Sequence, residues 1–113
     1  MTREYIMMPE FERQWSSMGL NDEDLRRLQA ELLLNPQKGV VVPGTGGLRK
    51  LRFAFEGQGK SGSTRVVYVD FCLYERIYLI YAYPKSEQEN LTKEQKNNIK
   101  KMIVRLEQTL TKE

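Results

Sequence analysis

The sequence contains no histidine and only one cysteine, Cys72. Without histidine, any acid–base chemistry depends on lysine, arginine, tyrosine and carboxylates. A single cysteine cannot form an internal disulfide, and it has neither a histidine nor a second cysteine with which to bind zinc. Cys72 lies in an apolar strand pattern, so we expect an inert core residue and not a nucleophile. The sequence therefore predicts no metal ion or other cofactor.

Long apolar segments are also missing. No run of about 18 apolar residues occurs, and residues 1–15 (MTREYIMMPEFERQW) carry charges throughout, unlike a signal peptide. We therefore expect a cytoplasmic protein with no membrane contact. At 113 residues, 40% apolar and 29% charged, the chain has the size and composition of one soluble globular domain spanning residues 1–113.

Positive charge is concentrated in one segment. Residues 38–65 hold six cations against one acid, a net charge of +5, whereas residues 1–37 carry −3 and residues 66–113 carry +1. Such a segment is typical of proteins that bind a polyanion, because Lys and Arg contact phosphates and release their counterions. The six cations are Lys38, Arg49, Lys50, Arg52, Lys60 and Arg65.

The first 36 residues predict a short strand and two helices. Tyr5–Met8 is a brief extended segment, and Pro9 suits a first helical position. Apolar spacing predicts a helix over Glu10–Met18, ended by Gly19. Asn21 is a cap for a second helix that runs to Asn35-Pro36, so we expect a helical hairpin.

The remainder predicts strands followed by a final helix. Alternating apolar and basic residues predict a strand over residues 50–55, preceded by a brief extended piece at Val40–Val42. Arg65–Leu73 and Ile77–Tyr83 are apolar on both faces and predict the centre of the sheet. Thr92 and Gln95 form a capping box for a helix whose apolar stripe ends at Leu110. The fold class is α+β, a small, largely antiparallel sheet with an N-terminal helix pair and a C-terminal helix.

Two glycine clusters fail as nucleotide-binding motifs. GQGKS at residues 57–61 has Ala54 where the phosphate-binding loop needs its first glycine, and a strand follows it instead of a helix. Gly44-Thr45-Gly46 has Arg49 where a dinucleotide fingerprint needs its third glycine. Both clusters are therefore interpreted as turns.

The basic strand has two interpretations. Lys50 and Arg52 would suit a solvated edge strand, where lysine discourages pairing with another chain. Contact with nucleic acid is favoured because Lys60 and Arg65 return on the next strand and Lys85 follows the last one, and adjacent strands bring such positions together. Clustered cations repel one another unless an anion meets them.

Tyr83 also has two interpretations. It is either a packing residue with a hydrated hydroxyl or, beside Pro84-Lys85, a residue that stacks on a base or donates a proton.

Three motifs together resemble the RelE superfamily of bacterial toxins, and in particular its HigB-type branch. They are PGTGGLRKLRFA at 43–54, GKSGSTRVVY at 59–68 and YAYPKSEQENLT at 81–92. The resemblance implies a ribosome-dependent mRNA endonuclease, the toxin of a type II toxin–antitoxin pair. Its implied partners are the ribosome, mRNA and a cognate antitoxin, HigA-like with a helix-turn-helix domain.

The resemblance also implies site residues. Lys50 and Arg52 occupy the basic-strand positions, Arg65 is the arginine before the V-V-Y strand, and Lys85 is the basic residue after the last strand. Lys60 is a further candidate. Some relatives place their functional tyrosine in the helix region that follows the last strand, where this chain has Leu91, so Tyr83 departs from that pattern.

RNA can be cleaved without metal or histidine when its own 2′-hydroxyl attacks the adjacent phosphate. For this mechanism Arg65 is expected to stabilise transition-state charge, and Lys50 or Lys60 to abstract the proton. Lys85 or Tyr83 would donate a proton to the leaving oxygen. Arg49 and Arg52 are expected to position RNA.

The alternative is a toxin or binding module of the related RelE/ParE fold. Such a protein would act on a protein target such as DNA gyrase and would not cleave RNA.

Overall fold

The computed structural model describes residues 2–54 and 64–110. Within these residues, five strands, three α-helices and one short 3-10 turn follow one another. Their bounds are β1 Glu4–Met7, α1 Pro9–Ser17, α2 Asp22–Leu34, β2 Val40–Val41, β3 Arg49–Phe53, β4 Thr64–Phe71, the 3-10 turn Cys72–Tyr74, β5 Arg76–Pro84 and α3 Lys93–Thr109.

The strands form one sheet in the order β1-β5-β4-β3-β2. β2, β3, β4 and β5 pair antiparallel with their neighbours, and β1 adds to β5 in parallel. The predicted α+β class with a largely antiparallel sheet is confirmed. The extended piece predicted at Val40–Val42 is β2, at one edge of the sheet.

Helix starts lie where the cap residues predict them. The Asn21 side chain accepts from the Asp24 backbone amide, and the Asp24 carboxylate accepts from Asn21 N. Thr92 and Gln95 make the same reciprocal pair at the start of α3. Each pair satisfies two amides that the helix leaves free, which is worth about 1 kcal/mol. The starts of α2 and α3 are thus set by local sequence.

The sheet separates two apolar clusters. α1 and α2 cover one side, which we call the helix-pair face, and α3 covers the other, which we call the α3 face. The helix-pair face packs Phe11, Trp15, Leu28 and Leu32 against Leu51, Phe53, Val66, Tyr68, Leu79 and Ala82. The α3 face packs Ile99, Ile103 and Leu110 against Val67, Val69, Phe71, Tyr78, Ile80 and Tyr83.

One sequence prediction needs correction, and three others fall outside the described residues. β4 ends at Phe71, and Cys72 is exposed in the 3-10 turn, so the prediction of a buried core cysteine was wrong. The turn is closed by Glu75 with a φ of 54°, which reverses the chain before a longer strand can form. The end of the strand predicted over residues 50–55, the GQGKS turn and Lys60 lie outside the described residues.

No helix within residues 2–54 and 64–110 is long and apolar enough to cross a bilayer.

Candidate active site

Arg52, Arg65 and Tyr83 lie side by side across three strands. Arg52 is the cross-strand partner of Arg65 in the β3–β4 pair, and Arg65 is the partner of Tyr83 in the β4–β5 pair. Their neighbours Leu51, Val66 and Ala82 belong to the helix-pair face. Since side chains alternate along a strand, the row of three belongs to the α3 face.

A bulge in β5 is what brings Tyr83 to this face. Val67 pairs with Tyr81, but Tyr68 pairs with Leu79, so Ile80 is an extra residue opposite β4. The insertion reverses the alternation, and Tyr81 and Tyr83 pack with the α3-face cluster. Their rings lie 5.8 Å apart.

The row opens into a groove of about 500 Å³ beside β3. Its lining consists of Val40, Lys50, Arg52, Arg65, Glu89 and Asn90. A smaller apolar pocket of about 270 Å³ continues from it through Val40, Lys50 and Asn90, and adds Leu91 and Lys96. The structure therefore brings together three of the predicted cations, Lys50, Arg52 and Arg65, in one open groove.

Arg65 is the most enclosed of these cations. It is 5% exposed, whereas Arg52 is an exposed residue at the next strand. A guanidinium in this setting has little freedom to move, because burial restricts its rotamers. Arg65 can therefore present a positive charge whose position is fixed before an anion binds.

Lys50 is held by a residue of the loop that precedes α3. Its Nζ donates to Asn90 Oδ1 at 2.8 Å. Gln88 Nε2 donates to the Asn90 carbonyl at 2.9 Å and to Gln95 Oε1 at 3.0 Å. Gln95 Oε1 also accepts from Thr92 N in the capping box of α3. The groove lysine is thus linked through hydrogen bonds to the first turn of α3.

Tyr83 is fully buried and packs in the α3-face cluster, as the packing interpretation expects, but its hydroxyl is buried as well and not hydrated. Its hydroxyl finds no hydrogen-bond partner among the described residues. Burial raises the pKa of the Tyr83 hydroxyl, and the positive charge of Arg65 opposes that rise. The ring does not face solvent in this structure, so a base cannot stack on it there. Its proposed part in proton transfer stays a prediction.

Arg49 is separated from the groove. It pairs with Tyr68 of the helix-pair face, and its guanidinium donates to the Gly39 carbonyl at 2.8 Å and to the Gln37 carbonyl at 3.2 Å. Tyr68 Oη contacts the same segment, accepting from Gly39 N and donating to the Pro36 carbonyl. Arg49 therefore helps to fix the connection between α2 and β2, and its predicted contact with RNA has no geometric support.

The remaining predicted residues lie apart from the groove. Lys85 is half-buried in the turn that follows β5, and it is not among the residues that line the groove. Lys60 lies outside the described residues. Lys38 forms an ion pair with Glu31 and is not among the residues that line the groove.

Two groove residues were not singled out in the sequence. Asn90 and Glu89 lie in the polar loop before α3, where composition gives no signal for either. Asn90 orients Lys50, and the Glu89 carboxylate is a proton acceptor within the same groove. The assembled groups can bind a phosphate through three cations and offer both acceptors and donors of protons around it.

Two comparisons with known proteins bear on the family and on the fold. A family model described as "RelE toxin of RelE / RelB toxin-antitoxin system" matches residues 8–113. Among solved structures, the chain is similar to a doubly substituted mutant of the E. coli toxin RelE in the free state, with a TM-score of 0.57 and 16% identity. That match covers 79% of this chain and 90% of the E. coli chain, and it shows a shared fold.

Proposed function

The chain belongs to the RelE toxin family of toxin–antitoxin systems, and from this premise we propose that it is a ribosome-dependent mRNA endonuclease. It would act in the cytoplasm on translated messages and inhibit translation. The family is shown by the sequence match, whereas cleavage is inferred from the residues of the groove.

One observation carries the proposal. Arg52 and Arg65 are direct cross-strand partners and line the same open groove as Lys50. A phosphodiester in the groove would accept hydrogen bonds from both guanidinium groups.

The proposed chemistry is cleavage by the RNA's own 2′-hydroxyl. The 2′-oxygen attacks the adjacent phosphorus, the bond to the 5′-oxygen breaks, and the products are a 2′,3′-cyclic phosphate and a 5′-hydroxyl. Arg65, fixed in the groove wall, would stabilise the charge of the crowded phosphorane. Arg52, which is exposed, would position the incoming strand.

Proton transfers complete the reaction. We assign the acceptance of the 2′-hydroxyl proton to Lys50, Lys60 or Glu89, and donation to the leaving 5′-oxygen to Tyr83 or Lys85. Lys50 and Glu89 are supported by their place in the groove.

Expression of an Arg65→Ala variant without antitoxin tests the proposal. We expect growth arrest to weaken by about a hundredfold or more in potency, because a preorganised charge is lost. Arg65→Lys keeps a cation if truncation harms folding, and it should recover only part of the activity, since lysine lacks the two-pronged guanidinium. Arg26→Ala is the matched control, because Arg26 is exposed and paired with Glu23 in α2.

Mapping transcript 5′ ends after brief induction separates the enzyme from the alternative. New cleavages within translated messages support the endonuclease. Intact messages accompanied by DNA damage would instead indicate a toxin that acts on a target such as gyrase.

The HigB-type assignment rests on the three sequence motifs alone. We propose a HigA-like antitoxin with a helix-turn-helix domain, encoded next to this chain. Sequencing the adjacent reading frame and co-expressing its product tests this directly. A neighbouring frame without a DNA-binding helix-turn-helix, whose product still restores growth, would contradict the HigA-like assignment.

A further inference from the structure

The edge of the sheet next to the groove is apolar. β2 is only two residues long, and its side chains Val40 and Val41 are 72% and 46% exposed. Exposed valines at a sheet edge are a liability unless a ligand or partner covers them. Residues 40–43 also form one wall of the small pocket that continues from the groove. Because the pocket shares Lys50 and Asn90 with the groove, its occupant would lie next to a phosphate bound there.

The apolar walls of the pocket are formed before any ligand binds. Val42 N donates to the Leu48 carbonyl at 2.8 Å, and the hydroxyl of the buried Thr45 donates to the Val42 carbonyl. Leu91, which also lines the pocket, is 6% exposed and packs in the α3-face cluster. Walls that are already fixed lose little conformational entropy when a ligand binds, which favours affinity.

The pocket also contains two unused hydrogen-bond donors. Because an ammonium only donates, the Asn90 side-chain oxygen is the atom that faces Lys50, and its amide nitrogen is left over. That nitrogen and the Lys96 ammonium make no hydrogen bond to any residue in 2–54 or 64–110. Lys96, like the other cations of α3, has no carboxylate within 4 Å in that part of the chain. A ligand of this pocket should therefore combine apolar faces with hydrogen-bond acceptors.

A single nucleobase has these properties and fits the volume. The pocket holds about 270 Å³, just below the range of about 300 to 1,000 Å³ typical of sites for drug-sized ligands. The proposed chemistry also calls for such a site. In-line attack places the 2′-oxygen opposite the leaving 5′-oxygen, a geometry that a regularly stacked strand does not adopt. A base held out of the stack allows the backbone to turn into that geometry.

We propose that this pocket binds the nucleobase beside the cleaved bond and that it selects guanine. The inference rests on the proposed function, because the groove has to hold the scissile phosphate. Guanine carries two adjacent acceptors, O6 and N7, and lysine is a common partner of that edge. Adenine has an amino donor in place of O6, and facing two donors would leave that amino group unpaired. Lys96 and Asn90 are thus specificity-determining residues.

Single-base changes in the message test the selection. Purified ribosomes carry messages with guanosine, inosine, adenosine or 7-deazaguanosine on either side of the cleaved bond, and the cleavage rate is measured. Inosine keeps O6 and N7, so its rate should lie within about twofold of that of guanosine. Adenosine lacks O6 and 7-deazaguanosine lacks N7, so both should be cleaved at least about fivefold more slowly. Equal rates for guanosine and adenosine on both sides of the bond would overturn the proposal.

Lys96→Met removes one donor and keeps the apolar stem of the side chain. We expect the rates for guanosine and adenosine to come within about twofold of each other, mainly because cleavage at guanosine slows. The matched control is Lys93→Met, since Lys93 is an exposed lysine of the same helix that does not line the pocket. It removes the same charge and should keep the wild-type preference. Equal loss of preference in both variants would contradict recognition by Lys96.

Val40→Ala tests the apolar wall. The isolated protein is mixed with short 2′-O-methyl RNA strands that carry the same four bases and cannot be cleaved, because the attacking hydroxyl is blocked. Val40→Ala should weaken binding of the guanine strand by about twofold to fivefold, since apolar contact area is lost. Val104→Ala, an exposed valine of α3 outside the pocket, is the control and should bind like the wild type. Unchanged strand binding with weakened binding of the adjacent frame's product would assign the valines to a protein partner and overturn the proposal.

The two measurements separate the pocket from the proposed function. If messages are cut without base preference, the endonuclease stands and the pocket is wrong. If no message is cut but the strands are bound with a guanine preference that Lys96→Met abolishes, the pocket stands and the endonuclease is wrong. Absence of cleavage together with absence of preferential binding would overturn both.

Discussion

Arg52 of β3 and Arg65 of β4 are direct cross-strand partners on the α3 face of the sheet. The pair places two guanidinium groups beside each other at the base of the candidate active site. Two guanidinium groups placed in this way can both reach one phosphate in the groove.

Arg52→Gln should weaken activity and leave the stability nearly unchanged. Arg52 is exposed, so we expect the free energy of unfolding to stay within about 0.5 kcal/mol of the wild type, while a cation proposed to position RNA is lost. Urea unfolding measures the stability, and cleavage of ribosome-bound message measures the activity. The exposed, ion-paired Arg26→Gln serves as control, and we expect no loss of activity there. Wild-type activity in Arg52→Gln would contradict the positioning role.

Asn90→Ala should impair activity without unfolding the protein. Asn90 Oδ1 holds the Lys50 ammonium at 2.8 Å, and Asn90 itself is exposed. Misplacing a catalytic group by about 1 Å costs up to about a hundredfold in rate, so we expect a loss of between about tenfold and a hundredfold in kcat with little change in KM.

The control for this prediction is Asn98→Ala, an exposed asparagine on α3 outside the groove. If Asn90→Ala changes only KM, Asn90 binds the substrate and does not position Lys50.

Two buried tyrosines should respond in opposite ways to loss of the hydroxyl. Tyr68 and Tyr83 are both fully buried. The Tyr68 hydroxyl makes two hydrogen bonds with the connection between α2 and β2, so Tyr68→Phe should cost about 1 to 2 kcal/mol. The Tyr83 hydroxyl has no partner among the described residues, so Tyr83→Phe should leave the free energy of unfolding unchanged or raise it.

Tyr83→Phe also tests proton donation, since its fold is expected to remain intact. Chemical denaturation and cleavage are measured on the same preparation. Full activity in this variant would leave Lys85 as the proposed donor, and a large loss at unchanged stability would support Tyr83.

Stability should decline at alkaline pH. Burial raises the pKa of Tyr68 and of Tyr83 above the ordinary tyrosine value of about 10. As the pH passes that value, the unfolded chain loses these protons first and is stabilised relative to the folded protein. The stabilising effect is therefore complete below about pH 10 and declines as the pH rises further.

Unfolding free energies measured between about pH 8 and pH 11 check the alkaline decline. In Tyr83→Phe the free energy of unfolding should fall less steeply as the pH rises, because one of the buried tyrosines no longer titrates. An equally steep decline in that variant would contradict the assignment.

Local sequence accounted for much of the fold. The capping boxes at Asn21 and Thr92 act within three residues, so they set the starts of α2 and α3 wherever the helices pack. The alternation in β3 placed Lys50 and Arg52 on one face. The same alternation puts Arg49 on the opposite face, together with Leu51 and Phe53. The prediction that Arg49 contacts RNA overlooked this signal, because it treated all the basic residues of the strand as one group.

Other parts of the site depend on contacts that the sequence does not express. The bulge at Ile80 moves Tyr83 to the α3 face, and it results from pairing with β4 and not from any turn residue in β5. Asn90 meets Lys50 from 40 positions away, through a loop whose path is set by α3. Cys72 is exposed because a 3-10 turn interrupts an apolar run that would equally suit a longer strand.

The unequal pairing of cations with carboxylates makes the charge distribution of the protein asymmetric. Charges on α1 and α2 are compensated at short range, whereas within residues 2–54 and 64–110 no carboxylate lies within 4 Å of a cation of α3. In the field of a large polyanion such a body experiences a torque, and it rotates before contact so that its uncompensated side leads. The protein would then meet its target already facing the right way, and added salt would slow the encounter more than it would hasten release.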